Sequence, residues 1–270
     1  MILNISKSNS IFLKGKFKLI FILLSVLLII YIIYPVLNII NLITSESLSL
    51  MVRKEVYTSL VVSLFTATIS TIIISSFGIP LGYILAKYNF RGKIIIHFLV
   101  LIPLVIPPLA SGALLLGVFG PYSSLGSIVP FNLTQSLFGI IISQVYIASP
   151  FMILSSQTAF KAVDPSYEHA SRILGKSEFD TFLLVTLPLS KLGLLVGLTL
   201  TWIRSLGELG ATLMMAYNPN TISIRIFEDN ALGGIYYATP SIISVILVIM
   251  LLLLMSNSIG RFRSSNLSWM

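Results

Sequence analysis

Apolar residues dominate six stretches of the chain, at about residues 19–40, 57–86, 94–119, 135–157, 189–217 and 235–256, with short polar segments between them. Crossing a hydrocarbon core of about 30 Å takes about 20 residues of helix, and each stretch is long enough. Inside lipid every backbone N–H and C=O must be satisfied within the segment, so apolar runs of this length predict helices. The expected fold is all-α: a polytopic membrane protein with six transmembrane helices. The second stretch exceeds the need, which predicts a tilted span or a short surface helix ahead of it. No repeat at the period of a solenoid or array interrupts the pattern.

Composition agrees. Only 10% of residues are charged, where a soluble domain carries about 25%. No Pro/Gly/Ser-rich linker divides the chain, so one membrane domain is expected. A tail, first span and external loop occupy 1–56, the membrane core 57–259, and a short tail 260–270. Lys7, Lys14, Lys16 and Lys18 ahead of the first apolar run imitate a signal peptide. The run is too long for that and lacks a small-x-small cleavage site, so it reads as a retained span.

The net charge of +8 fits topology better than nucleic-acid binding, because Lys and Arg gather in cytoplasmic loops. With the N-terminus in the cytoplasm, thirteen Lys and Arg fall inside; Arg53, Lys54 and Arg225 fall outside, and Arg204 lies within the fifth stretch. Both termini are then cytoplasmic in a multi-pass protein of the cell membrane, surrounded by lipid. Cysteine is absent and the two histidines, His97 and His169, are isolated, so neither a disulfide framework nor a metal site is expected. Without a phosphate loop, a nucleophile elbow or a zinc-binding His-Glu-x-x-His, no enzyme and no cofactor are expected. Any ATPase must be a separate chain.

One stretch breaks the apolar pattern: "SYEHASRILGKSEFDTFLLVTLPL", residues 166–189. Asp164 suits an N-cap and Pro165 the first helical position. A short helix over 166–174 should follow, ended by Gly175 in the left-handed conformation. A second amphipathic turn or two over 177–185 would lead to Pro188 and the fifth span. Such a helix–glycine–helix knob suits docking to another protein; the plain alternative is a solvated amphipathic loop.

The pattern Ala170-x4-Gly175-x9-Val185-x-Leu187-Pro188 resembles the EAA loop of ABC importer permeases, the type I membrane domains of binding-protein-dependent transport. The family's Glu-Ala-Ala falls on His169-Ala170-Ser171, with Glu168 one place earlier. "LIPLVIPPLASGALLLGVFG" (101–120) and "WIRSLGELGATLMMAYN" (202–218) are similar to the third and fifth spans of molybdate and tungstate permeases, and sulfate permeases share parts of the pattern. The resemblance implies the permease subunit of an ATP-driven oxyanion importer. It further implies a homodimer, a separate ATP-binding subunit gripping the loop at 160–188, and an extracellular solute-binding protein. Glu168, His169, Ala170, Ser171, Gly175, Leu187 and Pro188 would couple to the ATPase. The alternatives are a sulfate permease, or a stand-alone secondary transporter or channel.

Three more groups are candidates. Arg204 and Glu208, four apart in the fifth stretch, share a helical face; they form a structural pair or line the pathway. Gly207 and Gly210 there permit close helix approach. Pro103, Pro107 and Pro108 interrupt the third span; a kink is expected there, with a hinge or gate as the alternative. Arg225, Glu228 and Asp229 lie in an external loop at about 218–234. That loop either sets topology alone or docks the binding protein.

Overall fold

The computed structural model describes residues 16–44, 49–51, 53–123, 125–129 and 131–265. The tail carrying Lys7 and Lys14, and the last five residues, lie outside these. Among the described residues all regular structure is helical. Helix α1 is Lys16–Asn38, α2 Lys54–Lys87, α3 Lys93–Val105, α4 Pro108–Phe119 and α5 Leu137–Lys161. The loop helices α6 (Pro165–Ile173) and α7 (Glu178–Thr181) follow, then a π-helical turn, Phe182–Thr186. Helices α8 (Leu187–Leu206), α9 (Gly210–Met215) and α10 (Ile222–Ser265) complete the chain.

Helices α2, α5 and α8 form the centre, around Ile74, Ala148, Met152, Ala159, Phe160 and Leu194. Polar bonds cross it: Ser70 donates to Gln144 Oε1 at 2.8 Å, and Gln144 Nε2 donates to Thr66 at 3.2 Å. Hydrogen bonds between helices specify packing where lipid removes the hydrophobic drive, each contributing about 0.6 kcal/mol. The described side chains of α1 are exposed, as lipid-facing side chains are. Helix α2 is a single helix of 34 residues, about 50 Å at 1.5 Å per residue; residues 49–51, just ahead of it, are also helical.

Three spans differ from expectation. The third is broken, not kinked: α3 and α4 meet at 111°. Single prolines inside helices, such as Pro35, Pro80, Pro103, Pro150 and Pro240, leave them continuous. A residue before proline is pushed out of the α region, and the tandem Pro107-Pro108 applies that rule twice. Ile106 and Pro107 are both extended, with ψ of 130° and 137°. The fifth span stops at Leu206 and restarts at Gly210. Arg204 and Glu208 therefore flank a helix end instead of sharing the face of one continuous helix.

The sixth expected stretch is the second half of α10, which is interrupted at Gly233 and at Gly234, where φ is +69°. Its first half occupies what read as an external loop. Among the described residues, five helices are long and apolar enough to cross a membrane, or six if the bent pair counts as one span.

Candidate functional site

The loop between α5 and α8 forms as its residues dictate. Asp164 accepts from Ser166 N at 2.8 Å, satisfying one free N–H of α6, and that backbone bond holds its carboxyl below the usual range. Helix α6 ends where Gly175, at φ +81°, turns the chain; Gly175 N and Lys176 N bond back to Arg172 O and Ser171 O. Ser177 caps α7 through Asp180 N at 3.0 Å. The π-turn then delivers Leu187-Pro188 to the first turn of α8.

The two faces of α6 differ. Glu168 turns inward: its Oε1 lies 2.9 Å from Lys87 Nζ, at the end of α2, and accepts from Thr186 Oγ1 at 2.7 Å. Ser171 is buried against Thr181 at 3.0 Å. Of the residues expected to couple to the ATPase, these two therefore lie off the exposed surface of the loop. His169, Ala170, Gly175 and Pro188 are exposed, and Leu187 is half-buried. Sequence reasoning missed the large apolar side chains on that surface: Tyr167, Ile173 (85% exposed), Leu174 (82%) and Phe179. The signal was available, because Tyr167, Ala170 and Leu174 recur at helical spacing. An outer contact joins Tyr88, which donates to Glu178 at 2.7 Å, with Arg172, 3.0 Å from Glu178. The bond to the carboxylate pushes the Tyr88 phenol up to about 12. The same bond, with the Arg172 charge, lowers Glu178.

A second assembly joins the two broken spans. Arg204 meets Glu208 Oε2 at 2.7 Å, with the Glu208 side chain 1% exposed. Glu208 Oε1 accepts from Ala211 N at 2.8 Å, so the same carboxylate caps the restarted helix. A Cβ at Gly210 would sit 2.8 Å from Pro108 Cβ, and one at Gly112 would sit 2.7 Å from Ala211 O. The breaks at Pro107-Pro108 and Gly207 are thus brought together, with α4 lying on α9. Ser111, Ser205 and Thr212 are buried there. Pro107 and Gly207 stay exposed.

Arg225, Glu228 and Asp229 do not form an open charged loop. Arg225 pairs with Asp229 at 2.6 Å, Ser241 donates to Asp229 at 3.1 Å, and Asn220 donates to Glu228 at 2.6 Å. Asp229 is buried. The helical start at Ile222 sets Arg225 and Asp229 four apart and therefore in reach.

Residues 78–264 match the family described as the binding-protein-dependent transport system inner membrane component. The chain belongs to that family. It is an ABC importer permease, and the matched region includes the loop and both broken spans. A Haloferax volcanii protein named as a molybdenum ABC transporter permease is 46% identical over 178 residues, 66% of each chain. The molybdate/tungstate transport system permease protein of Pyrococcus furiosus is 37% identical over 186 residues, 69% of this chain and 70% of its own length. The sulfate transport system permease protein of Salmonella typhimurium is 31% identical over 202 residues, 72% of this chain and 73% of its own. A bacterial ABC transporter that imports alginate shares the permease fold, with TM-score 0.64 and 17% identity over 90% of this chain and 98% of that one.

Proposed function

We propose that this permease passes molybdate or tungstate across the cell membrane as a homodimer. A separate ATPase would drive it, and an extracellular binding protein would deliver the anion. The exposed apolar surface of the α6–α7 loop carries the reading. Tyr167, Ala170, Ile173 and Leu174 lie outside the long apolar helices yet are exposed, as is Phe179 in the first turn of the next long helix, and apolar patches of this kind mark protein interfaces. Basic residues flank this loop at Lys87, Lys161 and Lys176, which supports a cytoplasmic position and, with it, cytoplasmic termini. His169, exposed on the same surface, occupies the position of the family's glutamate and would meet the ATPase groove beside these residues. Relatives named for molybdenum at 46% identity, against 31% for sulfate, favour the heavier oxyanions. The Arg204–Glu208 pair is locally neutral, which suits a pathway that must release a dianion handed over by another protein.

The test is reconstitution of the complete transporter in lipid discs with binding protein loaded with molybdate, tungstate or sulfate. Molybdate or tungstate should stimulate ATP hydrolysis and sulfate should not. Replacing Ile173 and Leu174 together with Asp should reduce ATPase recovery on the tagged permease at least about tenfold, the loss expected of an interface hot spot. Full recovery would refute the docking surface, and sulfate stimulation would move the substrate.

A further inference from the structure

We propose that Glu168 is a positioning residue: it ties the docking helix to α2 and α8 so that a displacement of the loop moves both spans together. This rests on the docking surface proposed above, and concerns the opposite face of the same helix. One carboxylate oxygen, Glu168 Oε1, serves both ties. Lys87 Nζ, on the last residue of α2, lies 2.9 Å away, and Thr186 Oγ1, on the last residue of the π-turn, donates from 2.7 Å. Lys87 Nζ also reaches Val163 O, just beyond α5, at 3.5 Å. Three elements that enter the membrane separately therefore converge on α6.

The tie is sheltered. The Lys87 and Glu168 side chains are 15% and 17% exposed, whereas Arg172 and Glu178 in the outer contact are 51% and 59% exposed. Exposed pairs contribute little; a sheltered, charge-assisted pair with a second donor holds its geometry better. Packing supports it from the side. The Tyr83 ring of α2 stands edge-on to Phe160 of α5 at 5.3 Å and to Phe182, the first residue of the π-turn, at 4.9 Å. The π-turn is thus held by aromatic packing at its start and by Glu168 at its end. Isolated π-helical turns within helices are frequent at functional sites, and here one separates the docking helices from the straight part of α8. Ser171 and Thr181 join α6 to α7 on the same inward side. A push on the apolar face of α6 thus meets no slack before it reaches α2 and α8.

The experiment uses the complete reconstituted transporter with Glu168→Gln, Lys87→Met, Thr186→Val and the exchanged pair Lys87→Glu with Glu168→Lys. Two quantities are read: ATPase recovered with the permease, and anion imported per ATP hydrolysed. ATPase recovery should match the parent in every variant, because the outward surface is unaltered. Import per ATP should fall about tenfold in Glu168→Gln and Lys87→Met, a loss within the range of coupled contacting pairs. It should fall less in Thr186→Val, and recover to within about threefold of the parent in the exchanged pair. Since the chain has no cysteine, spin labels at Asn89→Cys and Lys176→Cys add a direct reading. Their separation should stay narrow through the ATP cycle in the parent and broaden with Glu168→Gln. Unchanged import per ATP in the single variants, or no recovery in the exchanged pair, overturns the positioning role while leaving docking intact. Failure of the parent to retain the ATPase overturns the docking reading and this proposal with it. Loss of ATPase recovery and import alike, unrescued by exchange, marks Glu168 as a folding residue and also overturns the proposal.

Discussion

Tyr88 and Glu178 share one short hydrogen bond on the outer side of the loop, 2.7 Å long, and its pH behaviour is readable. The phenol is pushed up to about 12 from 10.0, so the stabilisation from its bond is whole below pH 10 and is lost as pH rises through 12. Glu178 is shifted the other way, from 4.5, so its share is present above that value and is lost as pH falls through the lowered one. The contact is therefore constant across the physiological range and is no pH switch. Ultraviolet difference titration of the parent against Tyr88→Phe isolates this phenol. Glu178→Gln should bring its midpoint down toward about 10, the ordinary tyrosine value; an unmoved midpoint would deny the bond in solution. Glu178 itself was legible in the sequence only as one charge among several. Its partner, 90 residues earlier, has no local signature.

At the scale of elements, the loop was legible because its caps are local chemistry. Asp164, Pro165 and Gly175 act within three or four residues of themselves, and the helix forms between them. Gly175 at φ +81° occupies a conformation that costs an L-residue about 1–2 kcal/mol, and a β-branched side chain is the least suited to it. Gly175→Val should leave membrane insertion intact while lowering ATPase stimulation several-fold, and Gly175→Asn should restore most of it; assays of stimulated hydrolysis in lipid discs decide. Normal coupling in the valine variant would remove the turn from the mechanism. The tandem Pro107-Pro108 also carried its message locally, since each proline excludes the α region for the residue before it. Reading the pair as a kink undervalued that double exclusion. The charges at Arg225, Glu228 and Asp229 misled in the opposite way. They looked like a solvated loop, but a helix begins at Ile222 and turns them onto one another and onto Ser241.

The whole molecule is organised where the two interrupted spans cross. Glu208 is buried, ion-paired to Arg204, and caps the helix that restarts after it. Removing the cation alone strands a buried carboxylate, a loss of about 3–5 kcal/mol. Arg204→Met should therefore lower the yield and thermal stability of detergent-purified permease, and adding Glu208→Gln should restore most of both. Size-exclusion profiles and melting curves of the single and double variants measure this. If the double variant is no better than the single one, the pair does not hold the crossing together. Helix α4 can lie on α9 only while Gly112 and Gly210 leave room for the opposing backbone, and under the proposed function an anion pathway at this level would depend on the same crossing.

The sequence by itself determined the membrane class, the apolar stretches, and the caps and turn of the loop, while the resemblance of its motifs pointed to the family. Each of these depends on the hydropathy, spacing or backbone limits of residues close together in the chain. Tertiary structure alone decided that Glu168 faces Lys87 and Thr186 while Ile173 and Leu174 face outward, and that Pro108 meets Gly210. A polar side chain between apolar spans has many reachable partners. Which one it takes depends on how helices distant in sequence pack, and no local pattern encodes that packing.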